Sequence, residues 1–263
     1  MSTDMTFENL KNTRDLGGMM TADGRRIKTG RLIRSGRLVL GSEADIARLA
    51  PMIDLVVDFR SEKEREEGPD PEMPGVENVH IPILNTTRAG VSREKETDQQ
   101  VRKIAFDDPA SALSRMRRVY ENFIEDEYCV SQYRKFIDLI LAGREKAILW
   151  HCTAGKDRAG FAATIIEELL GVDKDTIMAD YLLTNERLQE ETAALVEMFR
   201  SRSESWSEAA EEAARVFFSA HEEYLKGAYA KVEEHYGDFE GFIARGLGVT
   251  PEEREKLRQM YLE

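Results

Sequence analysis

Ala147-Ile148-Leu149-Trp150-His151-Cys152-Thr153-Ala154-Gly155-Lys156-Asp157-Arg158 is the stretch from which the rest of the chain is read. Its four leading apolar residues predict a short central strand. The residues after it, Ala159 to Leu170, place Phe161, Ala162, Ile165, Ile166, Leu169 and Leu170 on a wide apolar face, which predicts a buried helix ended by Gly171. Between strand and helix, Cys152 and Arg158 stand five residues apart. A strand that runs through a loop into a helix sets Cys152 at the carboxyl edge of a sheet, where open α/β folds leave a crevice for ligands. The loop can aim the backbone N–H groups of Thr153, Ala154, Gly155, Lys156, Asp157 and Arg158 at one tetrahedral anion. Gly155 permits φ > 0, and the helix adds its positive dipole end. The same donors favour a thiolate at Cys152. The planar fork of Arg158 suits two phosphoryl oxygens and their transition state. The C-x5-R spacing recurs by chance; the flanking strand and helix, the histidine before Cys152 and the glycine inside the loop make it specific. A buried structural cysteine is the bland reading of Cys152. For His151, ordering of the loop by hydrogen bonding, without proton transfer, is preferred.

Outward from the loop, the N-terminal third reads as α/β. Arg31-Leu32-Ile33 and Asp54 to Phe59 are candidate strands, with a short helix from Ser42 to Ala50 between them, capped by Ser42 and followed by Pro51. Val79 to Ile83 is a further strand, entered from the loop Gly68 to Gly75. Thr86 to Asp108 is polar, aperiodic and dotted with Arg88, Arg93, Lys95, Arg102 and Lys103; a lid and a plain solvated segment fit it equally. Ala110 to Ala142 predicts one long helix stopped at Gly143, carrying Cys129 toward the core. Thr176 to Leu188 and most of the remainder are helical. No repeat or low-complexity linker occurs, so one domain over 1–263 is expected.

The 263 residues are 41% hydrophobic and 33% charged, as in a globular protein with its own core. No apolar run reaches transmembrane length, and the first fifteen residues lack the basic start and apolar stretch of a secretory signal. Two cysteines, Cys129 and Cys152, are too few for a disulfide framework, so a cytoplasmic setting is expected; whether the two ever pair is left open. A net charge of −13 argues against a nucleic-acid partner, yet leaves room for an anionic substrate in a local ring of donors. His80, His151, His221 and His235 show no ligand spacing, and the loop chemistry needs neither metal nor cofactor.

At His151 to Gly160 the chain resembles the signature of the atypical bacterial tyrosine phosphatases that also act on phosphoserine, phosphothreonine and phosphoinositides. Asn12-Thr13-Arg14-Asp15-Leu16-Gly17-Gly18 is similar to their N-x-R-D-L-G-G motif, and Asp58 to Glu64 to their D-x-R-S-x-x-E segment. Tyr181 to Asn185 and the pattern from Tyr236-Gly237 to Leu247-Gly248 fit too. The resemblance implies a mostly parallel central sheet flanked by helices, with a helical C-terminal region and a lid over residues 86–118. It implies phosphomonoester hydrolysis through a cysteinyl-phosphate, without a cofactor, on a phosphorylated protein or a phosphoinositide. No W-P-D sequence supplies an acid, since the tryptophans are Trp150 and Trp206. The resemblance points instead to Asp157, with Asp15 as second candidate and loop ordering through backbone N–H bonds as the bland role of Asp157. It suggests that Lys156 binds polyanionic head groups; a solvent-facing lysine is the plain reading. For Asp15 and Arg14 the alternative is that their motif is a structural ion-pair element, which supports the site. Asp58, Arg60 and Glu64 read as a charge network under the site, because Arg60 follows a buried strand and needs a partner.

Two other functions use similar loops. A rhodanese-like sulfurtransferase also has a Cys-headed anion loop after a strand, but generally a shorter one. A non-catalytic phosphate-binding module usually lacks the Cys or the Arg, and both are present here. Oligomeric state leaves no trace in the sequence.

Overall fold

The computed structural model describes residues 3–84, 108–203 and 205–263. Its centre is a six-stranded sheet in the order β1-β2-β3-β6-β4-β5. The strands are β1 (Thr3–Asp4), β2 (Arg14–Asp15), β3 (Leu32–Ser35), β4 (Ile53–Asp58), β5 (Glu77–His80) and β6 (Ala147–His151). The last four positions in that order are parallel to one another, and β1 and β2 add antiparallel pairs at one edge. The α/β class and the mostly parallel sheet are as expected.

Strand periodicity divides the core in two. Ala147 and Leu149 of β6, with Ile33 and Val56, face a smaller cluster containing Leu38, Leu49 and Met73. Ile148 and Trp150, with Leu32, Leu55 and Val57, face the larger cluster, which takes in most of the helices. Because β6 is buried on both faces, its sequence reads as a continuous apolar run. Register then aligns the strand ends. Ser35 and Asp58 both lie opposite His151, so three parallel strands finish together where the loop begins.

The helices are α1 (Glu43–Leu49), α2 (Glu62–Glu67), α3 (Pro109–Glu125), α4 (Glu127–Ala142), α5 (Arg158–Leu170), α6 (Lys174–Arg187), α7 (Gln189–Ser201), α8 (Glu208–Phe218), α9 (Glu222–Tyr236) and α10 (Pro251–Tyr261). The single helix expected over 110–142 is two. Asp126 leaves helical geometry at ψ 111°, and its carboxylate caps α4 by accepting from the Tyr128 amide at 2.8 Å. The apolar period continues across the break and so conceals it. Most of the expected lid lies outside the described residues. Its end, from Pro109 to Arg118, is the first half of α3, with Ala112 and Met116 buried.

Candidate active site

The loop between β6 and α5 is held from outside by its carbonyl groups. The Thr153 carbonyl accepts from the Arg37 amide at 3.1 Å, that of Ala154 from the Asn12 side-chain amide at 3.0 Å, and that of Gly155 from Arg34 Nη2 at 2.8 Å. Among the described residues, none accepts a hydrogen bond from the backbone N–H groups of Thr153 to Arg158. Carbonyls tied to the protein and amides left without a protein acceptor make a nest for an anion at a helix N-terminus. Gly155 sits at φ +69°, where a Cβ would lie 2.5 Å from the Ser35 carbonyl oxygen, so only glycine fits. Cys152 is buried at the base of this loop.

Arg158 opens α5, and its guanidinium is held as a fork by Glu64 of α2. Nη1 donates to Oε2 at 2.7 Å and Nη2 to Oε1 at 2.9 Å; Nη2 also reaches Thr153 Oγ1 at 3.2 Å. Thr153 Oγ1 donates to the same Oε1. Burial works to raise the Glu64 carboxyl, but Arg158, Thr153 and the Ser61 amide outweigh it and hold it well below the usual carboxylate range. Glu64 also closes the capping box of α2 with Ser61, so helix start and arginine clamp share one carboxylate. The sequence placed Glu64 with Asp58 and Arg60; its hydrogen bonds go to the loop instead.

Arg60 finds its partners elsewhere. It donates to both Asp58 oxygens, at 2.9 and 2.8 Å, to Asp70 at 2.9 Å and to the Gly68 carbonyl at 2.7 Å. Asp70 continues to His151 Nε2 at 2.9 Å, while His151 Nδ1 faces the Cys152 carbonyl at 3.2 Å. His151 is fully buried, and its ring nitrogens meet Asp70 on one side and the Cys152 carbonyl on the other. Asp58, Asp70 and His151 bring ligand-type atoms within 4.8 Å of one another. The Arg60 guanidinium already bonds both carboxylates, so their cation is the arginine.

A second buried network lies on the other side of the loop. Asp180 of α6 accepts from Arg14 Nε at 3.1 Å and from Arg34 Nη1 at 3.0 Å; Arg14 Nη1 donates in turn to Asn12. Burial, followed by the nearby Arg14 charge, lowers the Arg34 guanidinium to about 10, with Asp180 opposing. Through Arg34 and Asn12 this network reaches the Gly155 and Ala154 carbonyls. Arg14 is thus a support for the loop. Asp15 points elsewhere: β2 runs away from the strand ends, and its carboxylate accepts from the Gly17 amide at 2.9 Å and from the Gly30 amide.

Asp157 occupies the N-cap position of α5 but makes no side-chain cap bond. Its Oδ1 accepts from the Tyr120 hydroxyl at 2.9 Å, and Lys156 Nζ lies 3.5 Å from the same oxygen. Lys156 itself is buried. Its ammonium donates to the carbonyls of Phe217 at 2.7 Å and Ser219 at 3.1 Å and lies 5.8 Å from the Tyr224 ring centroid. Burial lowers its affinity for the proton, with Asp157 opposing. Cys129 is a free buried thiol pushed up to about 12 by burial, and Cys152 is free as well.

Arg34, Asp70, Tyr120 and Asp180 drew no notice as site residues in the sequence. Only Tyr181, inside a quoted motif, marked that part of α6.

Residues 5–263 match the tyrosine phosphatase family. A candidate tyrosine-protein phosphatase of Cupriavidus necator is 36% identical over 191 residues, 70% of this chain and 64% of that protein. The chain therefore spans just under two thirds of that relative's length. The triple specificity protein phosphatase PtpB of Mycobacterium tuberculosis is 30% identical over 232 residues, 79% of this chain and 81% of its own. A tyrosine-protein phosphatase of Nostoc commune is 30% identical over 131 residues, 48% of this chain and 43% of its own. With the match running through the sheet, the loop and the C-terminal helices alike, the chain belongs to the tyrosine phosphatase family.

Proposed function

We propose that this chain hydrolyses phosphomonoesters through a cysteinyl-phosphate on Cys152, with phosphotyrosine as leading substrate. One observation carries the reading: the loop amides of Thr153 to Arg158, which follow Cys152 directly, lack protein acceptors among the described residues, and Arg158 at the loop's end is clamped by Glu64. In the first step the Cys152 sulfur forms a bond to phosphorus while the bond to the leaving oxygen breaks. The departing oxygen takes the Asp157 proton. In the second step water forms a P–O bond, the S–P bond breaks with its electrons returning to sulfur, and the water proton passes to Asp157. The amides and Arg158 stabilise the equatorial oxygens in both.

Support for Asp157 as acid is its open oxygen: the side chain does not cap its own helix, and no described residue hydrogen-bonds to its Oδ2. Phosphoserine, phosphothreonine and phosphoinositides are proposed as further substrates. The mycobacterial relative's triple-specificity name supports breadth of this kind. Lys156, engaged with two carbonyls, reaches a lipid head group only by leaving them. No helix among the described residues is long and apolar enough to cross a membrane. Two unpaired thiols suit a reducing compartment, which supports a cytoplasmic setting.

The test is a panel of phosphotyrosine peptides, phosphoserine peptides and phosphoinositide vesicles on wild type and Cys152→Ser. Turnover of the tyrosine peptides that disappears in the variant is expected. Retained turnover in the variant overturns the mechanism. Thiosulfate-to-cyanide transfer by the wild type would move the function to a sulfurtransferase.

A further inference from the structure

Asp157 has two carboxylate oxygens in unlike settings. Oδ1 receives the Tyr120 hydroxyl at 2.9 Å and lies closest to Lys156 Nζ, at 3.5 Å, while Oδ2 has no hydrogen-bond partner among the described residues. Tyr120 comes from α3, is fully buried, and is itself bonded at 2.8 Å to the hydroxyl of Tyr181 on α6. A phenol has one proton. With that of Tyr120 directed at Asp157, Tyr181 is the donor to Tyr120, and the pair forms a one-way chain ending on Oδ1. Ring contacts fix both phenols: Tyr120 packs against Phe123, Tyr181 and Tyr224 with centroids 5.3, 6.0 and 5.7 Å away.

We propose that Tyr120, backed by Tyr181, is a positioning residue that pins Oδ1 of Asp157 and so assigns the transferable proton to Oδ2. The inference rests on Asp157 being the acid. Among the described residues, the donors around Asp157 are Tyr120 from α3, Tyr133 from α4, Tyr181 from α6, Tyr224 from α9, Lys156 from the loop and Arg158 from the start of α5. Burial holds the Tyr120 and Tyr181 phenols well above their usual range, so both remain donors across the working pH. Because a donor to a carboxylate favours its ionised form, losing that donor favours the acid form.

The experiment measures pH–rate profiles for aryl phosphates with good and poor leaving groups, on wild type, Tyr120→Phe, Tyr181→Phe and Asp157→Asn. A poor leaving group needs the proton most. Tyr120→Phe is expected to lose on the order of tenfold on the poor leaving group and little on the good one. Its alkaline limb should move to higher pH, and Tyr181→Phe should do the same to a smaller degree. Asp157→Asn should lose that limb. An equal loss on both leaving groups, with the limb unmoved in both tyrosine variants, overturns the proposal and leaves the tyrosines as packing. If Asp157→Asn keeps the limb and the wild-type leaving-group response, the acid assignment itself falls, and the role of Tyr120 with it.

Discussion

Glu64 is where one side chain fixes two things: the start of α2 and the direction of the Arg158 fork. Glu64→Gln keeps the shape and the cap acceptor but removes the charge. A displaced guanidinium costs transition-state contact, so kcat/KM is expected to fall about 10–100-fold, read with a generic aryl phosphate. The variant also changes acid stability. The folded state holds Glu64 below its ordinary range, so its contribution is complete above about pH 4.3 and is lost as pH falls through the depressed folded value. Urea unfolding should therefore show the gap between wild type and Glu64→Gln widest near neutrality and narrowing in acid. A gap independent of pH contradicts the pairing. Gly155 is the other residue-scale point. Gly155→Ala forces a Cβ into the Ser35 carbonyl at positive φ, at a cost of roughly 1–3 kcal/mol, and a lowered melting temperature together with lost turnover is expected. Cys152, Arg158 and Gly155 were legible because their spacing sits on seven contiguous positions, 152–158. Tyr120 was not, since it meets Asp157 from 37 positions away and nothing local marks a phenol as a donor.

At the scale of elements, α6 holds the loop from behind. Asp180 gathers Arg14 of β2 and Arg34 of β3, and Arg34 and Asn12 grip the loop carbonyls. Removing the carboxylate leaves two guanidinium groups buried without their shared partner. Asp180→Asn is expected to cost about 3–5 kcal/mol in urea unfolding. The triple variant Arg14→Met, Arg34→Met and Asp180→Leu, which removes both guanidinium groups with their carboxylate, should recover much of that stability while turnover stays low, because the Gly155 carbonyl has lost its donor. Recovery of turnover would show that the network is only packing. Strands and helices of this layer could be read from period and caps, as with Ser42. The contacts between them could not, because Arg14 and Asp180 are 166 positions apart and nothing local in the sequence names Asp180 as the partner of Arg14. The break at Asp126 escaped for the opposite reason: its apolar period runs straight through.

For the molecule as a whole, burial of charge beneath the sheet edge sets a pH dependence that local pairs do not. Glu167 of α5 is fully buried near Asp180, and burial, then that neighbour, push it well above its ordinary range against Arg34 and Arg14. A carboxyl raised on folding contributes stability that is complete below its unfolded value and is lost as pH rises through the folded one. Glu167→Gln should remove that decline, so the variant gains on wild type as pH climbs from acid toward neutral. Parallel melting curves at every pH would contradict it. The family and the fold were legible because five motifs lie in order along the chain, and the −13 charge misled nothing once the local donor ring was separated from it. Substrate choice lies in surfaces that neither spacing nor charge encodes.

The most direct test of the central claim is rapid acid quench of the enzyme during turnover of a labelled aryl phosphate, followed by peptide mapping. Label on the peptide containing Cys152, chased by water, accumulating in Asp157→Asn and absent from Cys152→Ser, is the predicted result. Turnover without any labelled cysteine, or label unchanged in Cys152→Ser, would contradict it.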